Sequence, residues 1–167
     1  MSLKISVSLK TNDKMWRNMV KNLTRGGDKS SAIGWWNSTH PTGVPIAQVA
    51  QWNEEGHENG KDSMFPGTIT PSRPFMTKGF LPQVPEVLPK YVRKAHQVAM
   101  GMTTWEKVNH EMGWKLKEIL QNVIEAWNNP PNSPLTVSVK GFNNPLIDTG
   151  TMLDTVQAKV IRKGGKV

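Results

Sequence analysis

The residues with the most evident chemistry lie near the C-terminal end of the chain, where Leu146 and Ile147 precede Asp148-Thr149-Gly150. A hydrophobic pair followed by Asp-Thr-Gly is typical of the catalytic loop of aspartic proteases, which need two carboxylates about 3 Å apart. Short chains obtain the second Asp by dimerising, but a flap and further strands must follow the loop, and here the chain ends at residue 167. The motif is better interpreted as a structural turn, in which Asp148 or Thr149 accepts backbone N–H groups and Gly150 adopts positive φ.

Other motifs for catalysis or cofactor binding are not found in the sequence. Glu55 and Glu58 flank His57 and offer a loose metal site, but in a polar loop they are better interpreted as solvated side chains. The chain has no Cys, which excludes thiolate chemistry and disulfides. It also lacks a phosphate-binding glycine loop and a nucleophile elbow. We therefore predict a protein without enzymatic activity, metal or cofactor.

Length and charge restrict the class of protein further. The chain of 167 residues fits one domain, residues 1–167, and its formal net charge of +8 suits contact with nucleic acid or an acidic protein surface as well as plain solubility. Candidates for such contacts are Arg162, Lys163 and Lys166, the one modest basic cluster. No apolar run approaches the ~20 residues of a membrane span, so no membrane contact is predicted. The strictly alternating N-terminus does not resemble a signal peptide.

Hydrophobic periodicity predicts the elements that position these residues. Alternation indicates half-buried strands at residues 3–9, 31–36 and 155–162, with the last strand beside the first. Three- and four-residue spacing indicates helices at 14–23, at 46–55, from residue 75, from about residue 87, and at 103–127. Residues 134–142 are predicted to be extended. The fold class is therefore α+β, with a small, mostly antiparallel sheet packed by one long helix and shorter helices, and with long loops such as 56–73.

Three stretches in a fixed order carry a resemblance to a known family. They are IAQVAQWNEEGHENG at 46–60, TPSRPFMTKGF at 70–80 and PLIDTGTMLDTV at 145–156, with a long helix before the third. This set resembles the small tail-completion, or neck, proteins of long-tailed bacteriophages, including the minor tail and Mu-like virion-morphogenesis families. The match covers about residues 40–160. It departs from the family at Thr151-Met152-Leu153, where Arg or a small residue is common after the Gly, and at 82–101, which is longer than usual.

The resemblance implies a structural virion protein that forms or joins a ring, often six-fold, at the head-proximal end of the tail. Its implied partners are copies of itself and neighbouring neck, tail-terminator or tail-tube proteins, with DNA contact in the lumen. The implied location is the virion, after synthesis in the bacterial cytoplasm. In such a ring, loop 56–73 is expected to reach a neighbouring subunit, the alternative being a disordered surface loop. Large side chains are the expected interface anchors, with one arginine: Trp52, Met64, Phe65, Arg73, Phe75 and Phe80.

Two other hypotheses stay open. A basic DNA-binding or transient morphogenesis factor is the second, because the net charge of +8 is compatible with it although no nucleic-acid-binding module is recognised. A protease that uses Asp148 is the third.

Overall fold

The computed structural model describes residues 13–61, 63 and 66–162. Helices dominate, and the elements in chain order are α1 (Asp13–Thr24), β1 (Lys29–Gly34), α2 (Ile46–Glu55), β2 (His57–Glu58), β3 (Ile69–Thr70), a π-helical segment (Phe75–Phe80), a 3-10 turn (Leu81–Gln83), α3 (Val84–Ala99), α4 (Trp105–Ala126), α5 (Pro134–Lys140), α6 (Thr151–Asp154) and β4 (Gln157–Arg162). The α+β prediction is confirmed. Among the described residues, no helix combines the length and apolar character that crossing a bilayer requires.

The main sheet pairs two strands from opposite ends of the described chain. β1 and β4 are antiparallel, with Lys29 opposite Arg162 and Gly34 opposite Gln157. The sequence prediction placed the last strand beside residues 3–9, which lie outside the described residues; within them, β4 pairs with β1. This pairing brings the C-terminal part of the described chain beside a strand near its N-terminal end.

The long helix α4 packs across this sheet. Asn109 joins the two layers, because its side-chain Nδ2 donates to Lys29 O at 3.2 Å and its carbonyl accepts from Ser31 Oγ at 2.6 Å. Gly113 allows close approach, since a Cβ there would lie 3.3 Å from Ala158 Cβ. Thr104 caps the helix by accepting from Lys107 N. The predicted long helix at 103–127 is thus confirmed to within two residues at its start.

The core lies between α4, α2, the π-helical segment and the C-terminal segment. Its members are buried apolar side chains, chiefly Ile46, Ala50, Phe75, Phe80, Leu116, Ile119, Leu120, Val123, Ile124, Leu146, Met152 and Val156. Within the π-helical segment, Gly79 leaves room for α4, because an added Cβ would meet Val123 Cγ1 at 2.6 Å. The apolar stripe of α4 therefore faces the core, as its period of 3.6 residues predicts.

Two local predictions are wrong. Residues 134–140 form helix α5 instead of an extended piece, because Ser133 accepts from Thr136 N at 3.1 Å and Pro134 suits the first helical turn. These start signals outweigh the β-branched residues inside. Helix α3 begins at Val84, ahead of residue 87, and contains Pro89. Pro89 lies beyond the first turn of this helix and has no N–H group to donate to the carbonyl of Pro85.

Loop 56–73 has more structure than the sequence predicted. β2 and β3 form a short antiparallel hairpin with His57 opposite Thr70, and Asn59 N donates to Thr68 O at 2.8 Å beyond it. Gly56, with φ +79°, ends α2 and approaches the backbone just after β3, since an added Cβ would lie 2.8 Å from Ser72 N. The segment is folded back onto the chain at this point.

Candidate functional site

Arg73 is a buried junction between distant parts of the chain. Its side chain is 7% exposed, and Nη1 donates to Asn53 Oδ1 at 3.1 Å and to Pro145 O at 3.0 Å, while Nη2 donates to Asn132 Oδ1 at 3.2 Å. All three acceptors are neutral. Burial therefore lowers the pKa of the guanidinium, because loss of solvent disfavours the charged form. The prediction of Arg73 as a subunit-interface residue is corrected: it binds its own chain.

Glu54 fixes the start of the π-helical segment. Its carboxylate accepts from Met76 N at 2.8 Å, from Thr77 N at 3.0 Å and from Thr77 Oγ1 at 2.7 Å. Free N–H groups at a helix start favour an acceptor with negative charge. The sequence does not predict this role, because Glu54 lies 22 residues before Met76 and no local motif links the two.

Asparagine side chains hold the segment ahead of Asp148. Asn144 Oδ1 accepts from Leu146 N at 2.9 Å and Ile147 N at 3.0 Å, and its Nδ2 donates to Glu125 O at 2.8 Å at the end of α4. Asn132 Nδ2 donates to Asn144 O at 3.1 Å. These hydrogen bonds attach the loop to the end of α4. In the sequence, only the abundance of Asn in this loop hints at such bonds.

The Asp-Thr-Gly segment itself forms a tight corner. Gly150 has φ +79°, in the left-handed region that favours glycine, and Thr149 Oγ1 accepts from Thr151 N at 3.4 Å. Helix α6 begins at once after Gly150, and Asp148 is exposed. Asp148 or Thr149 was predicted to accept backbone N–H groups at this turn, and in the described structure the acceptor is Thr149.

Two of the predicted aromatic anchors are buried in the core. Phe75 is 0% exposed and Phe80 is 7% exposed, so both are core residues and the interface prediction is corrected for them. Trp52 is half-buried and stacks on His57, with ring centroids 5.2 Å apart. Met64 and Phe65 lie outside the described residues. The apolar surfaces available for contact are found elsewhere.

The first such surface is a stripe on α1. Trp16, Val20 and Leu23 follow one another at helical spacing and are 62%, 41% and 38% exposed. Their spacing indicates the apolar face of an amphipathic helix, which would be expected to face a core. The contact with α3 is instead made by a neighbouring side, where Asn22 Nδ2 donates to Ala99 O at 3.1 Å. We call these three residues the α1 stripe.

The second surface lies on α5 and the residue after its end. Leu135 and Val139, one helical turn apart, are 57% and 55% exposed, and Phe142 is 41% exposed. Lys140 Nζ lies 4.8 Å from the centroid of the Phe142 ring. We call Leu135, Val139 and Phe142 the α5 surface. Sequence analysis missed it because residues 134–142 were interpreted as a strand.

Basic side chains form a row along α1, beside the α1 stripe. They are exposed and share one helical face: Lys14, Arg17, Lys21 and Arg25. We call them the basic row. Of the basic residues predicted for partner contact, Arg162 is exposed with Asp28 Oδ2 at 4.0 Å, and Lys163 and Lys166 lie outside the described residues. The sequence places Lys14, Arg17 and Lys21 on the polar face of this amphipathic helix, but no partner contact was predicted for them.

In the part of the chain that the structure describes, no group of three or more His, Cys, Asp or Glu side chains is arranged to hold a metal ion. Comparisons with models of known protein families, with curated proteins and with solved structures find no match for this chain.

Proposed function

We propose that this chain is a structural virion protein of a long-tailed bacteriophage, which forms or joins a ring at the head-proximal end of the tail. The observation that carries the proposal is the pair of separate apolar surfaces, on α1 and on α5. A subunit of a closed ring contacts its two neighbours through two different patches. Exposed Trp, Leu and Phe side chains supply the anchors that such contacts use.

The sequence resemblance adds support, because the three stretches that carry it are in contact in the folded chain. Its three stretches meet at Arg73, which lies in the second stretch and donates to Asn53 of the first and to Pro145 of the third. Residues that share one buried network are constrained together. The three stretches, although far apart in the sequence, thus belong to one structural unit.

Assembly by burial of the α1 stripe has a direct test. Replacing Trp16 and Val20 together with Ser is expected to raise the dissociation constant of the ring at least tenfold, because an interface loses two apolar anchors. Light scattering coupled to size exclusion, over a range of protein concentrations, measures the change. The matched control is Trp114→Ser, a tryptophan that is 55% exposed on α4 and belongs to neither surface. Equal assembly in both variants would contradict the role of the stripe.

Copy number tests the virion assignment itself. Quantitative mass spectrometry of purified phage particles, against the portal protein, is expected to find about six or twelve copies, as a symmetric ring requires. Absence from mature particles would remove the structural assignment and favour a transient morphogenesis factor.

The basic row favours one other candidate, a DNA-binding factor. Replacing Lys14, Lys21 and Arg25 with Gln is expected to weaken binding to duplex DNA and to reduce its salt dependence, by about 0.9 in the slope of log K against log salt for each lost phosphate contact. Anisotropy titrations at several salt concentrations measure both. The control removes as many charges elsewhere, with Lys115, Lys117 and Lys159 changed to Gln. A second variant neutralises Arg162, Lys163 and Lys166. No binding of the unmodified chain at low salt would exclude this candidate.

A further inference from the structure

A groove of about 670 Å³ lies between the β2–β3 hairpin and α5, and two cations, Arg73 and Lys140, are part of its lining. Polar side chains of both walls complete it, among them Thr70, Asn132 and Thr136. We call it the cationic groove. Both cations reach the same short segment, because Arg73 Nη1 donates to Pro145 O at 3.0 Å and Lys140 Nζ donates to Asn144 O at 2.9 Å and to Ile147 O.

Neither cation has a carboxylate within ion-pair distance among the described residues. Arg73 Nε is also buried without a hydrogen-bond partner there. Removal from solvent lowers the pKa of both groups. Buried charges in proteins are usually paired, because an unpaired charge is desolvated without a compensating attraction to an opposite charge. The groove thus carries positive charge that no described carboxylate neutralises at ion-pair distance.

Asp148 is the acidic residue that the described lining contains. Its charge raises the pKa of Lys140, against the lowering by burial, but it is exposed and lies beyond ion-pair distance of that amine in the described structure. Two cations therefore face one carboxylate, and the electrostatic potential in the groove favours a further anion.

The rim of the groove is apolar. Ile69 is 80% exposed on the hairpin side, and Leu135 and Val139 are 57% and 55% exposed on α5. A nucleic-acid backbone needs an open row of solvated cations. Here Arg73 is buried and Lys140 is half-buried, and apolar side chains line the rim, which suits an acidic residue flanked by apolar ones in a peptide.

We propose that the cationic groove binds a carboxylate side chain presented by an acidic–apolar segment of a protein partner, which pairs with the half-buried Lys140, while the buried charge of Arg73 adds to the positive potential and apolar neighbours contact the rim. The proposal does not depend on the phage assignment, since it concerns the chemistry of the bound segment alone. In a ring, the same groove makes the α5 surface selective for a partner that carries this segment.

The test uses the full chain and the blocked peptide acetyl-Ala-Leu-Asp-Leu-Ala-amide, with the Asn analogue as its matched control. Isothermal titration calorimetry at low salt is expected to show at least tenfold tighter binding of the Asp peptide. Lys140→Gln is expected to weaken that binding at least tenfold, because the pairing charge is lost. Asp148→Asn is expected to strengthen it several-fold, because a competing carboxylate is removed. The opposite signs distinguish a specific site from loss of folding.

Three results would overturn the proposal. One is equal affinity for the Asp and Asn peptides. Another is displacement of the Asp peptide by a short DNA oligonucleotide present at a similar concentration, which would show that the groove prefers phosphate groups. The third concerns Asp62, which the sequence places between β2 and β3 and which lies outside the described residues. Binding seen only in an Asp62→Asn chain would show that the groove holds the chain's own carboxylate.

Discussion

Replacing Arg73 with Ala is expected to lower the free energy of unfolding by roughly 3 kcal/mol or more. Three acceptors, Asn53 Oδ1, Pro145 O and Asn132 Oδ1, lose their donors together. A buried acceptor left without a partner costs about 1–3 kcal/mol. Part of this cost is offset, because the variant no longer desolvates a guanidinium whose pKa burial has lowered. Urea denaturation followed by circular dichroism measures the difference.

Two further variants separate the causes of this loss. Arg73→Met keeps much of the apolar stem, so it isolates the hydrogen bonds from the packing. Arg93→Ala removes an exposed arginine of α3 and is expected to change stability by less than about 0.5 kcal/mol. If Arg73→Ala were as stable as Arg93→Ala but failed to assemble, the side chain would serve an interface and its role as an internal junction would be wrong.

Replacing Phe75 with Ala is expected to lower the free energy of unfolding by about 3–5 kcal/mol. The ring is 0% exposed and meets Trp35 edge-on, with centroids 6.5 Å apart. It also belongs to the core cluster that contains Ile46, Leu146 and Met152, so truncation leaves a cavity where α2 and the C-terminal segment meet. A thermal or urea unfolding transition measures the effect, which would leave a marginal domain largely unfolded.

Phe142→Ala is the matched control for this prediction. The same side chain is removed, but at a position that is 41% exposed, so the expected loss is below about 1 kcal/mol. The two variants should also differ in assembly: Phe142→Ala is expected to weaken association while it keeps the fold. A stable, monomeric Phe75→Ala chain would restore that residue as an interface anchor.

Several elements follow directly from local chemistry. Helix α2 occupies residues Ile46–Glu55, as predicted, because Pro45 favours its start, apolar residues recur at helical spacing and Gly56 adopts φ +79° at its end. Helix α1 ends before Gly26, which has φ +89°. Such signals operate within a few residues of the boundary they set. They need no tertiary partner, and sequence patterns therefore locate them well.

Helix α5 shows where local chemistry is ambiguous. Leu135, Val137 and Val139 alternate with polar residues, which predicts a strand, while Ser133 and Pro134 together are a helix start signal. The cap at Ser133 and the left-handed Gly141 at the far end stabilise the helix. No sheet edge among the described elements takes this segment as a strand, since β4 pairs with β1 and β3 pairs with β2.

By itself, the sequence determined the α+β class, the long core helix α4, the bounds of α2 and the presence of a Gly-based corner after Asp148. These features depend on period, caps and backbone freedom, which neighbouring residues encode. Tertiary structure alone decided that Arg73 and Phe75 are internal and that Trp16 is exposed. The donor and acceptor of the Arg73–Pro145 bond are 72 positions apart, and the side of α1 that becomes covered depends on where α3 lies. An apolar pattern marks which residues prefer burial, but only the packing of distant elements supplies the neighbour that buries them.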